Sequence, residues 1–212
     1  LIVAEAVSQN YSDSLTIELS KHYENADLPG FSVTIVNEDG VLYQKGFGYA
    51  NKHQKTTFQA KTIENLGSVS KTVVGLALVK AIQDGKLTMD TKINDILPFK
   101  ITNPYFKNEP ILIRHLANHT SSILDTKHYG ESYIRAQSFE NEENIHQDFL
   151  GFINSHEPME LKAFLHHLFH SKGKWYKKKN FLKAKPGTER EYANVNAALA
   201  AYIVEVATGI PF

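Results

Sequence analysis

Asn65-Leu-Gly-Ser68-Val-Ser-Lys71-Thr72 runs directly into Val73-Val-Gly-Leu-Ala-Leu-Val-Lys-Ala-Ile-Gln-Asp-Gly85. The reading of this stretch governs the rest of the chain. Val69, Val73, Val74, Leu76, Ala77, Leu78, Ala81 and Ile82 occupy nearly every face of a helix drawn from Ser68 to Asp84. An all-round apolar helix is predicted to be buried, and Gly85 stands in the usual helix-stop position. Ser68 and Lys71 are three apart at its start, so they share a face, with about 5–6 Å between their Cβ atoms. A serine hydroxyl is a poor nucleophile until a neighbour takes its proton, and a lysine does so only when burial or nearby positive charge favours its neutral form. The apolar helix is expected to supply that burial. Gly67 permits a tight turn just before the helix. The Ser68 N–H, at the helix N-terminus, then becomes a candidate half of an oxyanion hole.

Spacing alone leaves a plainer reading open, in which Ser68 is only an N-cap serine. The same spacing recurs at Ser171 and Lys174, where Gly173 and a basic loop argue against a helix.

Outward from this stretch, Leu15, Ile17, Leu19 and Tyr23 predict an amphipathic helix from about Ser12 to Asn25, closed by Leu28-Pro-Gly30. Phe31–Val36 and Val41–Gly48, joined by Asn37-Glu-Asp-Gly40, predict an antiparallel hairpin. Beyond Gly85 the pattern is helical: a short turn over Asp90–Leu97 before Pro98, another over Ile111–Asn118, Met159–His170, and an Ala-rich helix over Tyr192–Thr208 ended by Gly209. Residues 126–156 are polar and irregular, with Glu140, Glu142 and Glu143 clustered; Gly173–Pro186 is a basic loop. The expected fold is α+β: an antiparallel sheet, represented by its N-terminal hairpin, packed with a mostly helical region in one domain over residues 1–212. A two-stranded hairpin is not stable alone, and no further strand is evident after residue 50, so the sheet reads as unfinished.

A second chemical element is Tyr192-Ala-Asn194. A phenol beside Ser68 and Lys71 can relay the serine proton to a leaving group, and an asparagine amide can hold lysine and substrate. The triplet is degenerate, recurring at Tyr23–Asn25 and Tyr49–Asn51; what separates this copy is that it follows Lys185-Pro-Gly-Thr188 and opens a small-residue helix.

Three blocks in order resemble the class C beta-lactamase family, which also includes D-alanyl-D-alanine carboxypeptidases and related esterases. Gly67-Ser-Val-Ser-Lys71 with Val79–Asp90 and Ile96-Leu-Pro98 is similar to its first block. Ile113-Arg-His-Leu-Ala-Asn-His119-Thr-Ser121 resembles its second, and Pro186–Asn194 with Ile203–Gly209 its third. The resemblance implies a beta-lactamase/transpeptidase-like fold and an acyl-enzyme mechanism on an amide, lactam or ester carbonyl. In it Ser68 is the nucleophile, Lys71 and Tyr192 share the acid–base work, and Asn194 contacts substrate. It also implies a small-molecule or peptide substrate, no cofactor, and export to a periplasmic or extracellular space. There are two departures. The family usually has glycine where this chain has Ser122, so a different turn is expected there. The family's last motif, Lys or His then Thr or Ser then Gly, occurs nowhere in these residues. The chain is therefore expected to stop before that motif and its strands. A non-catalytic binding or scaffold protein on the same fold is the competing function.

Bulk composition narrows the rest. Twenty-three basic and 23 acidic residues give zero formal net charge, no long-range reason to bind nucleic acid or an anionic membrane. No cysteine is present, which excludes disulfides, thiolate metal sites and cysteine nucleophiles. No apolar run reaches the ~18–20 residues needed to span a bilayer, and Leu1–Val7 lacks the basic flank of an intact signal peptide. His166, His167 and His170 contain an i, i+4 pair, but without the His-Glu-x-x-His glutamate or a third ligand they read as a solvated face rather than a metal site. Lys172, Lys174 and Lys177–Lys179 around Trp175 and Tyr176 read as a loop near an active-site rim rather than a single-strand nucleic-acid surface. Gly46-Phe-Gly48 lacks the Lys-Ser/Thr and the helix of a phosphate loop. His119 reads as structural.

Overall fold

The computed structural model describes residues 2–130 and 159–212; Glu140, Glu142 and Glu143 lie outside the described residues. The chain divides into two compact units, Leu1–Leu66 and Gly67–Phe212.

The first unit is a helix and a small sheet. Helix α1 spans Ile2–Glu24 and is longer than the periodicity indicated. No Gly or Pro precedes Pro29 in this region, so nothing breaks the helix toward the N-terminus. Strands β1 (Gly30–Asn37) and β2 (Gly40–Asn51) pair antiparallel from Gly30 opposite Gly48 to Asn37 opposite Gly40. Asn37 closes the turn, its Oδ1 accepting from the N–H of Asp39 at 3.0 Å and of Gly40 at 3.1 Å. Phe31 stacks on Phe47 at 4.9 Å, and Thr16 of α1 hydrogen-bonds the Tyr43 hydroxyl at 2.9 Å. A third strand, β3 (Thr56–Thr57), pairs with β2, contrary to the expectation of none after residue 50. Two residues carry no periodicity, so sequence pattern had nothing to register. The sheet order is β1-β2-β3.

In the second unit a 3-10 turn, Gly67–Ser70, leads into α2 (Lys71–Gln83). Short helices α3 (Ile93–Ile96), α4 (Ile113–Ala117) and α5 (Lys127–Gly130) follow, then α6 (Leu161–Phe169), a 3-10 turn at Lys178–Asn180, and α7 (Asn194–Thr208). Gly209, at φ 72°, closes α7 in the left-handed conformation that glycine adopts without penalty. Helix α7 is the axis of the unit: α2, α3, α4 and α6 all pack on it. Val195, Leu199 and Ile203 share one core cluster with Leu165, Leu168, Ile93 and Ile113, all fully buried.

The prediction that α2 is buried all round is corrected here. Leu78 and Ala81 are buried, and Val74, Ala77 and Ile82 pack partly against the core. These positions recur at helical spacing, so only one face meets α7. Val73 and Leu76, on another face, are 60% and 70% exposed.

In the loop after α4, Ser122 adopts the left-handed backbone, φ 63°. For a non-glycine residue this conformation costs about 1–2 kcal/mol. The Ser122 Oγ accepts from Asn103 Nδ2 at 2.8 Å, but that amide also faces the carbonyls of Leu182 (3.0 Å) and Ala184 (3.1 Å). Two N–H bonds serve three acceptors, so losing Ser122 Oγ leaves Asn103 satisfied. Ser122→Gly is therefore expected to stabilise the protein by about 1 kcal/mol, read as a Tm rise of about 2–4 °C. A fall in Tm would mean that the buried hydrogen bond outweighs the backbone strain.

Candidate active site

Gly67, at φ 52°, turns the chain into the 3-10 segment that carries Ser68. Residues i and i+3 eclipse in a 3-10 turn, which brings Lys71 over Ser68: Lys71 Nζ donates to Ser68 Oγ at 2.8 Å. Ser68 is not a helix cap. The N-cap of α2 is Ser70, whose hydroxyl donates to the Gly67 carbonyl at 2.6 Å. Ser68 Oγ instead lies 2.7 Å from the Tyr192 hydroxyl, 124 residues away in sequence.

Tyr192 does not open the last helix, as the sequence reading had it. It sits in extended chain two residues before α7, with Ala193 as N-cap and Asn194 as the first helical residue. This bend lets the tyrosine and asparagine of the triplet meet: the Tyr192 hydroxyl donates to Asn194 Oδ1 at 3.3 Å.

Asp125 orders the whole arrangement, and sequence reasoning missed it. Its Oδ2 accepts from both the backbone N–H and the Nδ2 of Asn194, each at 2.8 Å, and its Oδ1 accepts from Val195 N–H at 2.9 Å. It thus satisfies the first free N–H groups of α7 and places a negative charge at the positive end of that helix. A carboxylate only accepts, so it fixes the Asn194 amide with nitrogen toward Asp125 and oxygen toward Tyr192. Tyr192 must then donate to Asn194, and the Ser68 hydroxyl is left to donate to the Tyr192 oxygen. A directed chain results: Lys71 to Ser68, Ser68 to Tyr192, Tyr192 to Asn194, Asn194 to Asp125. The only sequence signal was a carboxylate following Ser121-Ser-Ile-Leu; a cap reaching across 69 residues has no local pattern.

Electrostatics favours proton acceptance by Tyr192. The Lys71 ammonium first, and the Ser68 hydrogen bond second, hold its phenol below the ordinary tyrosine value. Lys71 Nζ also lies 5.4 Å from the centre of the Tyr192 ring. The other ring neighbour is His119, at 4.5 Å. Burial, then the nearby Arg190 and Lys71 cations, push its imidazole below the usual histidine value, so it packs as a neutral ring near neutral pH. His119 does not contact Ser68 by a hydrogen bond; Asn196 Nδ2, whose Oδ1 accepts from buried Ser121, lies 3.3 Å from its Nδ1.

Asp125→Ala removes three hydrogen bonds and the charge at the α7 N-terminus. The expected cost is about 1–2 kcal/mol of stability, with a roughly tenfold slower reaction at Ser68 as Asn194 loses its orientation. Thermal melting and the rate of Ser68 labelling by an activated ester check both parts; Asp125→Asn is expected to fall between the two.

His166 and His170, read from sequence as part of a solvated face, are half-buried instead: they stack at 4.5 Å, both edge-on to Phe99. Among the described residues no group of three His, Cys, Asp or Glu side chains is placed to hold a metal ion, and no helix is long and apolar enough to cross a membrane.

The sequence profile of the Beta-lactamase family matches residues 18–212. Protein Flp of Staphylococcus aureus (strain MRSA252) is 28% identical over 185 residues, covering 87% of this chain and 31% of its own length. Among solved structures, the octameric penicillin-binding protein homologue from Pyrococcus abyssi is similar with a TM-score of 0.62 and 24% identity, over 95% of this chain and 40% of that one. EstCE1, a hydrolase with promiscuous acyltransferase activity, is similar with a TM-score of 0.60 and 27% identity, over 96% of this chain and 47% of that one. The chain spans less than half the length of each of these relatives.

Proposed function

From the premise that the chain belongs to the Beta-lactamase family, with its beta-lactamase/transpeptidase-like α+β fold, we propose that it supplies the nucleophile and proton-relay residues of a serine hydrolase working through an acyl-enzyme. The observation that carries this reading is the position of Ser68 Oγ, within hydrogen-bond reach of both Lys71 Nζ and the Tyr192 oxygen. A serine needed only for helix capping has no reason to meet a lysine and a distant tyrosine at once.

In the proposed reaction the Tyr192 phenol first releases to solvent the proton it donates to Asn194 Oδ1; Ser68 Oγ then forms a bond to the carbonyl carbon of an amide, β-lactam or ester, and its proton passes to the Tyr192 phenolate. Lys71, as ammonium, stabilises both the phenolate and the developing charge on Oγ. The Ser68 N–H lies beside the carbonyl oxygen as one oxyanion donor. Collapse breaks the carbonyl carbon's bond to the leaving group, which takes the proton from Tyr192. Water then cleaves the acyl-serine by the reverse proton path. Asn194 holds Tyr192 and faces the substrate. D-amino-acid peptides, β-lactams and small esters are the substrate classes that fit, in keeping with the penicillin-binding and hydrolase relatives.

Intact-mass measurement with peptide mapping, after incubation with a fluorophosphonate and separately with a fluorescent penicillin, tests the reading. One adduct on the peptide containing Ser68 is the expected result. An unmodified chain with both reagents would instead favour a non-catalytic protein on this fold.

A further inference from the structure

We propose that the basic-aromatic cleft beside Asp125 is a subsite for a carboxylate-bearing arm of the substrate acylated at Ser68. This inference rests on the serine hydrolase reading and names the substrate class it serves. The cleft has a volume of about 300 Å³, and its lining includes Asp125, Lys127, His128, Trp175, Lys177, Lys179 and Asn180. That volume lies at the lower end of what small ligands occupy, about 300–1,000 Å³.

The walls are built rather than incidental. Asn180 is buried, and its Nδ2 donates to the carbonyls of Leu168 (2.9 Å) and Trp175 (3.1 Å) while its own carbonyl accepts from Leu124 N–H at 3.0 Å. The Trp175 N–H is in turn held by the His167 carbonyl at 2.9 Å. Its indole is stacked by His128 at 4.9 Å, nearly parallel at 17°, and meets His167 edge-on at 5.2 Å. A flat apolar wall is thus fixed in place, with Lys177 and Lys179 in the lining beside it.

The charge balance selects an anion. Among the described residues Lys177 and Lys179 form no ion pair. The carboxylate in the lining, Asp125, has both oxygens committed to the start of α7 and the Asn194 amide. Its charge is therefore largely compensated by the helix end. Asp125 also ties the cleft to the reaction centre, because it holds the Asn194 that Tyr192 contacts. Three hydrogen bonds, of 2.8, 3.3 and 2.7 Å, lead from Asp125 in the cleft lining through Asn194 and Tyr192 to Ser68 Oγ, which sets the cleft beside the reaction centre.

The chain contains one tryptophan, Trp175, so its fluorescence reports on the cleft without any requirement for catalysis. Titration with hexanoate is expected to give a saturable change at about tenfold lower concentration than with neutral hexanamide, the effect of two partly solvated cations on one carboxylate. The preference should shrink as salt is raised. Lys177→Gln with Lys179→Gln should remove it, leaving hexanamide binding and circular dichroism unchanged. In a second arm, p-nitrophenyl hemiglutarate should acylate Ser68 about tenfold faster than p-nitrophenyl pentanoate, and the double variant should equalise them. Equal responses to hexanoate and hexanamide overturn the inference whatever Ser68 does. Tighter binding of oligothymidylate than of hexanoate also overturns it, in favour of a nucleic-acid surface. Discrimination by fluorescence with equal acylation rates overturns the substrate assignment. Discrimination with no acylation of Ser68 leaves an anion site standing and sinks the serine hydrolase reading instead.

Discussion

Ser68→Ala abolishes every covalent adduct with fluorophosphonate or penicillin, and turnover of an activated ester falls by at least about 10³-fold: that is the largest effect expected of any substitution here. The effect should be purely chemical. Ser68 is exposed and lies in the 3-10 turn ahead of α2, whose N-cap position is Ser70, so the alanine variant should keep its stability to within about 0.5 kcal/mol. Lys71 loses its acceptor but remains partly solvated and turns to water. Labelling and thermal melting of the same preparations separate the two outcomes. An unfolded variant would mean that the 3-10 turn depends on the hydroxyl, and persistent labelling would place the nucleophile elsewhere.

Tyr192→Phe is the second. The phenylalanine ring keeps the contact with His119 and removes only the oxygen that lies 2.7 Å from Ser68 Oγ. Loss of a positioned proton acceptor is expected to slow acylation by about 10²- to 10⁴-fold. The pH profile carries the more specific prediction. Lys71 and then Ser68 lower the Tyr192 phenol, and the phenolate is the form that takes a proton. The wild-type acylation rate therefore rises as pH rises through that ionisation, with the midpoint of the limb below the ~10 of an ordinary tyrosine. The variant loses this rising limb. If it keeps the limb with a reduced rate, Lys71 accepts the proton and Tyr192 serves only to orient Ser68.

Much of this arrangement was legible in the sequence, for reasons specific to each part. The Asn37–Gly40 turn announced itself because Asn, Asp and Gly are the residues that tight turns demand, and the hairpin followed from it, though not the register shift between Ile35 and Val36. Ser68 and Lys71 were readable as a pair because three-residue spacing on any helical turn puts side chains together. The strand Thr56–Thr57 was not readable, since two residues have no period. The exposed side of α2 was not readable either: apolar residues on all faces state that a helix can be buried, and which face meets α7 depends on how the unit packs.

Local sequence was enough for the α+β class, the Ser68–Lys71 pair and the helices of the second unit other than α5, which lies in a stretch read as irregular; these depend on neighbours within a few residues, where covalent geometry limits the choices. Tertiary packing set the rest: that Tyr192 precedes its helix, that Asp125 caps that helix and orients Asn194, and that Trp175 and three lysines share a cleft with that same carboxylate. Hydrogen bonds from Ser68 to Tyr192 and from Asp125 to Asn194 close loops of 124 and 69 residues. At that distance along the chain no local propensity constrains the partner, and the packing of the core around α7 alone brings the ends together.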